Sequence, residues 1–82
     1  MSQIKKVLSP IPGVFYRRPA PNKDEYAKPG DYVKSGETIG LVEVMKSFYE
    51  VKAEVDGTIK KFIVDNEEML EAGQEIAVIV ED

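Results

Sequence analysis

Short apolar stretches rich in β-branched and aromatic side chains recur along the chain, separated by Gly, Pro and Asn breaks. That rhythm predicts strands, because β-branched and aromatic side chains suit a pleated surface and the breakers suit the turns between strands. The expected strands are Gly13–Tyr16 and residues 37–42, 48–53, 57–64 and 75–80. No window of twelve residues carries a helical stripe. The nearest, residues 65–72, stops at Gly73 and fits either a turn of helix or a strand with its lead-in. The class expected is all-β.

The pattern also repeats. Val33-Lys34-Ser35-Gly36-Glu37-Thr38-Ile39 parallels Leu70-Glu71-Ala72-Gly73-Gln74-Glu75-Ile76 at an offset of 37, and Gly13-Val14 parallels Gly57-Thr58 at an offset of 44. The difference, 44 − 37 = 7, means that the first half holds about seven extra residues. They fall in the polar, proline-rich stretch Arg18-Pro19-Ala20-Pro21-Asn22-Lys23-Asp24-Glu25-Tyr26, which has the composition of a loop. Two like halves predict one domain over residues 1–82, a barrel or sandwich with quasi-twofold symmetry.

A reversal is required near residue 46. From Leu41 to Ala53 there is no Gly, Pro, Asn or Asp. As one strand, residues 40–53 would span roughly 46 Å at about 3.3 Å each. A compact chain of this length has a diameter of only about 30 Å. Continuing the repeat makes Val80 the counterpart of Glu43 and Val51 that of Val7, so the two units meet between Val44 and Glu50. Met45-Lys46 is the natural centre of the turn, with Val44 facing Ser47. A two-residue hairpin loop of the favoured kind needs positive φ at both central residues. Met and Lys accept that at a cost of about 1–2 kcal/mol each, where Asn-Gly would accept it easily. Side chains kept at such a cost point to a use for them, although a wider or bulged turn that happens to carry a lysine stays open.

Composition narrows the chemistry. Eighty-two residues with 43% hydrophobic content build one ordinary, thin-cored domain with little room for a deep cleft. Histidine and cysteine are absent, so disulfides, thiolate metal sites, Cys nucleophiles and imidazole bases are excluded together, and no metal site is expected. Ser2, Ser9, Ser35 and Ser47 have no His partner, which leaves a small hydrolase without a base. The net charge is −4 and the basic residues are scattered, against the clustered footprint that nucleic acid requires. No apolar run approaches the eighteen residues of a membrane span, and no secretory leader is visible. A cytoplasmic location is expected. A chain of this length is expected to be either an excised domain or a short stand-alone subunit, and a start at Met1 favours the second.

Glu43-Val44-Met45-Lys46 resembles the attachment motif of biotinyl domains, in which a Lys follows a Met at a hairpin tip. Ser9-Pro10-Ile11-Pro12-Gly13-Val14-Phe15-Tyr16-Arg17 is similar to the opening strand of carriers of the bacterial acetyl-CoA carboxylase type. Glu54, Gly57-Thr58-Ile59 and Gly73-Gln74 are similar to the second half of that family, so the resemblance runs from about Ser9 to Glu81. It implies a flattened antiparallel β-barrel or sandwich of two quasi-twofold-related four-stranded halves. It also makes the insertion at residues 19–26 the protruding thumb of these carriers. Val44 and Ser47 depart from the small residue and second Met usual in the family, which bears on acceptance by a biotin ligase.

The resemblance further implies that Lys46 carries covalent biotin, attached by a biotin protein ligase from biotinyl-adenylate. The domain is then a non-catalytic carrier. It takes a carboxyl group from biotin carboxylase to carboxyltransferase, with acetyl-CoA the expected acceptor and fatty acid biosynthesis the expected process. Glu43, Val44, Met45 and Ser47, together with thumb residues Pro19, Ala20, Pro21, Asn22, Lys23, Asp24, Glu25 and Tyr26, become candidate partner contacts. Phe48, Tyr49 and Val51 are expected to be packing and cross-strand pairs, and Arg17 and Arg18 a solvated strand end. Two rivals remain. A lipoyl carrier of a 2-oxoacid dehydrogenase shares the fold but typically has Asp before and Ala after the lysine. An unmodified β-barrel interaction module would make no use of Lys46.

Overall fold

The computed structural model describes residues 3–82, and among them every regular element is a strand. In order these are β1 (Gln3–Leu8), β2 (Gly13–Tyr16), β3 (Tyr32–Val33), β4 (Thr38–Val44), β5 (Ser47–Lys52), β6 (Gly57–Phe62), β7 (Met69–Leu70) and β8 (Glu75–Glu81). They form two antiparallel four-stranded sheets, ordered β1-β8-β6-β3 and β5-β4-β2-β7. Exchanging β1 for β5, β8 for β4, β6 for β2 and β3 for β7 turns one sheet into the other. This is the twofold relation that the repeat predicts. The body is flattened, 41 × 27 × 19 Å.

The core obeys the same relation. Phe15 and Ile59, Val33 and Leu70, Ile39 and Ile76, and Val42 and Ile79 are buried counterparts from the two halves. Strand alternation sends them inward from both sheets, and each fully buried apolar side chain contributes about 1.5–3 kcal/mol. The paired glycines have a packing reason. A Cβ on Gly13 would lie 2.5 Å from the Glu43 carbonyl oxygen, and one on Gly57 would overlap the Val80 carbonyl. Each half needs a bare backbone where its two inner strands cross.

Some expectations change. Strand β1 is absent from the predicted set because all but Val7 of its six residues are exposed, leaving no apolar alternation to read. β3 and β7 are two-residue strands, too short for periodicity. Residues 65–72 take the second of their two expected forms, a strand with its lead-in, and contain no helix. The Asp65 carbonyl accepts from the Glu68 N–H at 3.2 Å, Glu67 adopts φ 67°, and β7 follows directly. No helix among the described residues is long and apolar enough to cross a membrane.

Candidate functional site

β4 runs through the middle of its sheet between β5 and β2, with Ile39 and Val42 fully buried beneath it. Its pairing with β2 ends at Glu43, while its pairing with β5 continues to Val44 opposite Ser47. The end of this hairpin therefore projects from a firmly packed base. The loop is Met45-Lys46, with φ of 49° and 67°. Positive φ at both central residues is the primed turn that matches strand twist, reached here without Asn or Gly. Met45 is 92% exposed, and Lys46 is exposed with no hydrogen bond or ion pair among the described residues. An amine in that position is free to react and to carry whatever it acquires.

One flank of the hairpin is held by Tyr16 on β2. Its hydroxyl donates to Glu43 Oε1 at 3.1 Å, and its ring lies 6.3 Å from that of Phe48 on β5. That hydrogen bond, then desolvation, then the charges of Glu43 and Glu67, push the Tyr16 phenol above its usual 10.0. Glu43 and Val44 are half-buried, and Ser47 is exposed.

The insertion is a folded excursion. The Tyr26 N–H donates to the Arg17 carbonyl at 2.9 Å, closing its base, and the Lys23 N–H donates to the Ala20 carbonyl at 3.0 Å, turning its tip. Arg17 and Arg18 are not a solvated strand end. Arg17 Nη1 lies 3.1 Å from Glu25 Oε2, Nη2 donates to the Ala27 carbonyl at 3.2 Å, and the guanidinium sits 4.2 Å from the centre of the Phe62 ring. Arg18 shares the same Glu25 oxygen at 3.5 Å. The Arg17 and Glu25 side chains are only 18% and 19% exposed, so this pair lies in a partly dry environment where charge interactions persist. Glu25 and Tyr26 thus anchor the insertion, while Pro19, Pro21, Asn22, Lys23 and Asp24 are exposed and Ala20 is half-buried.

Between this insertion and the lysine hairpin lies a cleft of about 430 Å³, with Pro19, Ala20 and Pro21 on one side and Tyr16, Leu41 and Phe48 on the other. The expectation for Val51 holds, since it is buried against the core. Phe48 and Tyr49 do occupy cross-strand pairs, opposite Glu43 and Val42, but both are exposed. Sequence reasoning passed over Tyr16 and Phe48 as members of this site. The alternation was readable, but which sheet face the insertion would overhang was not. No cluster of His, Cys, Asp and Glu able to hold a metal occurs among the described residues.

With this geometry in view, the likenesses to known proteins are informative. The family described as "Biotin-requiring enzyme" matches residues 5–79. The chain is 35% identical over 80 residues to the biotin carboxyl carrier protein of acetyl-CoA carboxylase from Nostoc sp., covering 98% of this chain and 44% of that protein. The protein of the same description from Streptococcus pyogenes is 43% identical over 68 residues, covering 83% of this chain and 41% of that one. The chain thus spans less than half the length of these relatives. Among solved structures, the urea carboxylase of Kluyveromyces lactis superposes with a TM-score of 0.78 at 32% identity, over 95% of this chain and 6% of that one.

Proposed function

This chain belongs to the family of biotin-requiring enzymes, and on that premise we propose that it is a biotin carboxyl carrier domain with Lys46 as its attachment residue. One observation carries the assignment: Lys46 stands at the outer end of a tight hairpin, exposed and unpartnered, on a buried β base. A lone primary amine fits a cofactor that is joined through its carboxyl group. A free carboxylate is a poor electrophile, so an amide to a lysine amine needs an activated acyl donor. Biotin protein ligase would supply one as biotinyl-adenylate, and Lys46 Nζ would take the acyl group with loss of a proton and AMP as the leaving group. Biotin held on Lys46 would supply a ureido nitrogen able to carry a carboxyl group from one enzyme to another.

The chain's own residues do the positioning. A two-residue loop with both φ values fixed leaves no slack between scaffold and arm, so the tether keeps a well-defined origin. Attachment to one scaffold also raises the local concentration of the cofactor at each docked enzyme. Biotin carboxylase and the carboxyltransferase of an acetyl-CoA carboxylase are the proposed partners, in the cytoplasm and in the service of fatty acid synthesis, by likeness to the carriers above. Glu43, Val44, Met45 and Ser47 beside the lysine, and the thumb across the cleft, are the surfaces these enzymes would meet first.

Expression in a host that holds both biotin and lipoate ligases, followed by intact-mass measurement, tests the assignment. A biotin-sized addition to the wild type and none to Lys46→Arg is expected. A lipoyl-sized addition, no addition to the wild type, or biotin retained in Lys46→Arg would overturn it.

A further inference from the structure

The quasi-twofold relation supplies an internal control for the surface beside Lys46. Met69, Val14, Glu43 and Phe48 lie in one row across the outer face of the β5-β4-β2-β7 sheet. Tyr16, Leu41 and Glu50 form the next row away from the tip. The matching rows on the other sheet are Tyr32, Thr58, Val80 and Ile4, then Lys61, Val78 and Lys6. Both faces are partly apolar, with Phe48 and Met69 exposed by 60% and 67% on the first and Ile4 and Tyr32 by 57% and 50% on the second. They differ in charge. Glu43 stands where the other face has Val80, and Glu50 stands where it has Lys6.

The two carboxylates are not spent inside the fold. Glu43 accepts from the Tyr16 hydroxyl at 3.1 Å and Glu50 from the Thr38 hydroxyl at 3.3 Å, and among the described residues no cation pairs with either. Lys6, by contrast, is already paired with Glu75 at 3.0 Å. The sheet that bears the lysine hairpin thus presents apolar side chains between unneutralised negative charges, and its counterpart does not. Net charge alone would not produce that asymmetry.

We infer that this outer face, with Phe48 at its centre and Glu43 and Glu50 beside it, docks on an apolar patch rimmed by Lys or Arg on biotin carboxylase. That enzyme draws in ATP and bicarbonate, both anions, and an entrance that gathers anions is surrounded by positive potential. Complementary charge would speed encounter and set the orientation in which the hairpin tip enters. The inference rests on the carrier assignment above.

The test uses fully biotinylated domain, checked by intact mass, as the varied substrate of purified biotin carboxylase with ATP and bicarbonate, following ADP release. Glu50→Lys is expected to lower kcat/KM by on the order of tenfold through KM, with kcat retained and the deficit shrinking as salt rises. Lys6→Glu, the pseudo-symmetric reversal, is expected to stay within about twofold of wild type, as charge changes far from an interface do. An unchanged KM for Glu50→Lys overturns the inference and leaves the carrier assignment standing, as does an equal or larger loss in Lys6→Glu. A wild-type holo domain that supports no ADP release removes both. Matching unfolding midpoints for the three proteins exclude misfolding as the cause.

Discussion

Met45 and Lys46 hold φ of 49° and 67°, a region that side chains with a Cβ disfavour. Each such residue costs about 1–2 kcal/mol relative to a right-handed conformation. The double substitution Met45→Asn with Lys46→Gly would install the residues that this turn prefers. Asn tolerates the left-handed region, and Gly loses the Cβ penalty but gives back about 0.5–1 kcal/mol of backbone entropy. Neither Met45 nor Lys46 makes a hydrogen bond or ion pair among the described residues that the exchange would remove. The expected net gain is about 1–2 kcal/mol. For a domain of this size that corresponds to a rise in melting temperature of roughly 5–15 °C. Thermal unfolding followed by circular dichroism measures it, with Met45→Leu as a control that keeps the strain and should leave the midpoint within about 2 °C. The stabilised double variant would at the same time take no biotin. An unchanged or lowered midpoint would refute the claim that this turn stores strain and that its side chains are kept for function rather than for folding.

Further outcomes follow from other parts of the fold. Gly57→Ala forces a Cβ against the Val80 carbonyl where neither strand can yield, so a loss of at least about 2 kcal/mol in urea unfolding is expected. Gly36→Ala has open space and suffers only from its φ of 94°, so a loss of about 1 kcal/mol should separate the two mechanisms. Glu25→Gln removes the carboxylate shared by Arg17 and Arg18, and should speed hydrogen exchange at the Tyr26 N–H that closes the insertion while leaving exchange in β8 unchanged. The hydrogen bond from Tyr32 to Asp82 comes first, then desolvation and the charges of Asp82 and Asp56, in pushing the Tyr32 phenol from 10.0 up to about 12. A raised folded-state value means that the hydrogen bond's stabilisation is intact below pH 10 and is lost as pH rises from 10 through 12. Tyr32→Phe should therefore show a shallower decline in stability over that window, and an identical decline would count against the bond.

The local order of side chains determined more of this protein than its size would suggest. Alternating β-branched and aromatic residues identified the central strands, because burial on one face of a sheet imposes a period of two. The repeat offsets of 37 and 44 paired Ile39 with Ile76, which are counterparts in the core, and Gly13 with Gly57, which are counterparts where strands approach closely. Chain length against strand rise required a reversal between Leu41 and Ala53, and the repeat placed it at Met45-Lys46. Those readings rest on spacing, which is fixed covalently. What lay out of reach depended on segments distant in the chain. β1 is an edge strand whose place is set by pairing with β8 at the far end of the sequence, and its own composition says little (Gln3 pairs with Glu81). Arg17 resembles any charged residue at a strand end until the fold brings the Phe62 ring beneath it and the chain returns Glu25 to its side. The face that gathers Met69, Val14, Glu43 and Phe48 comes from four strands and exists only after they pair. Periodicity reports which side of a strand is wet. Which neighbours share that side is decided by topology, because the free energy that selects it comes from long-range pairing and burial that no single segment contains.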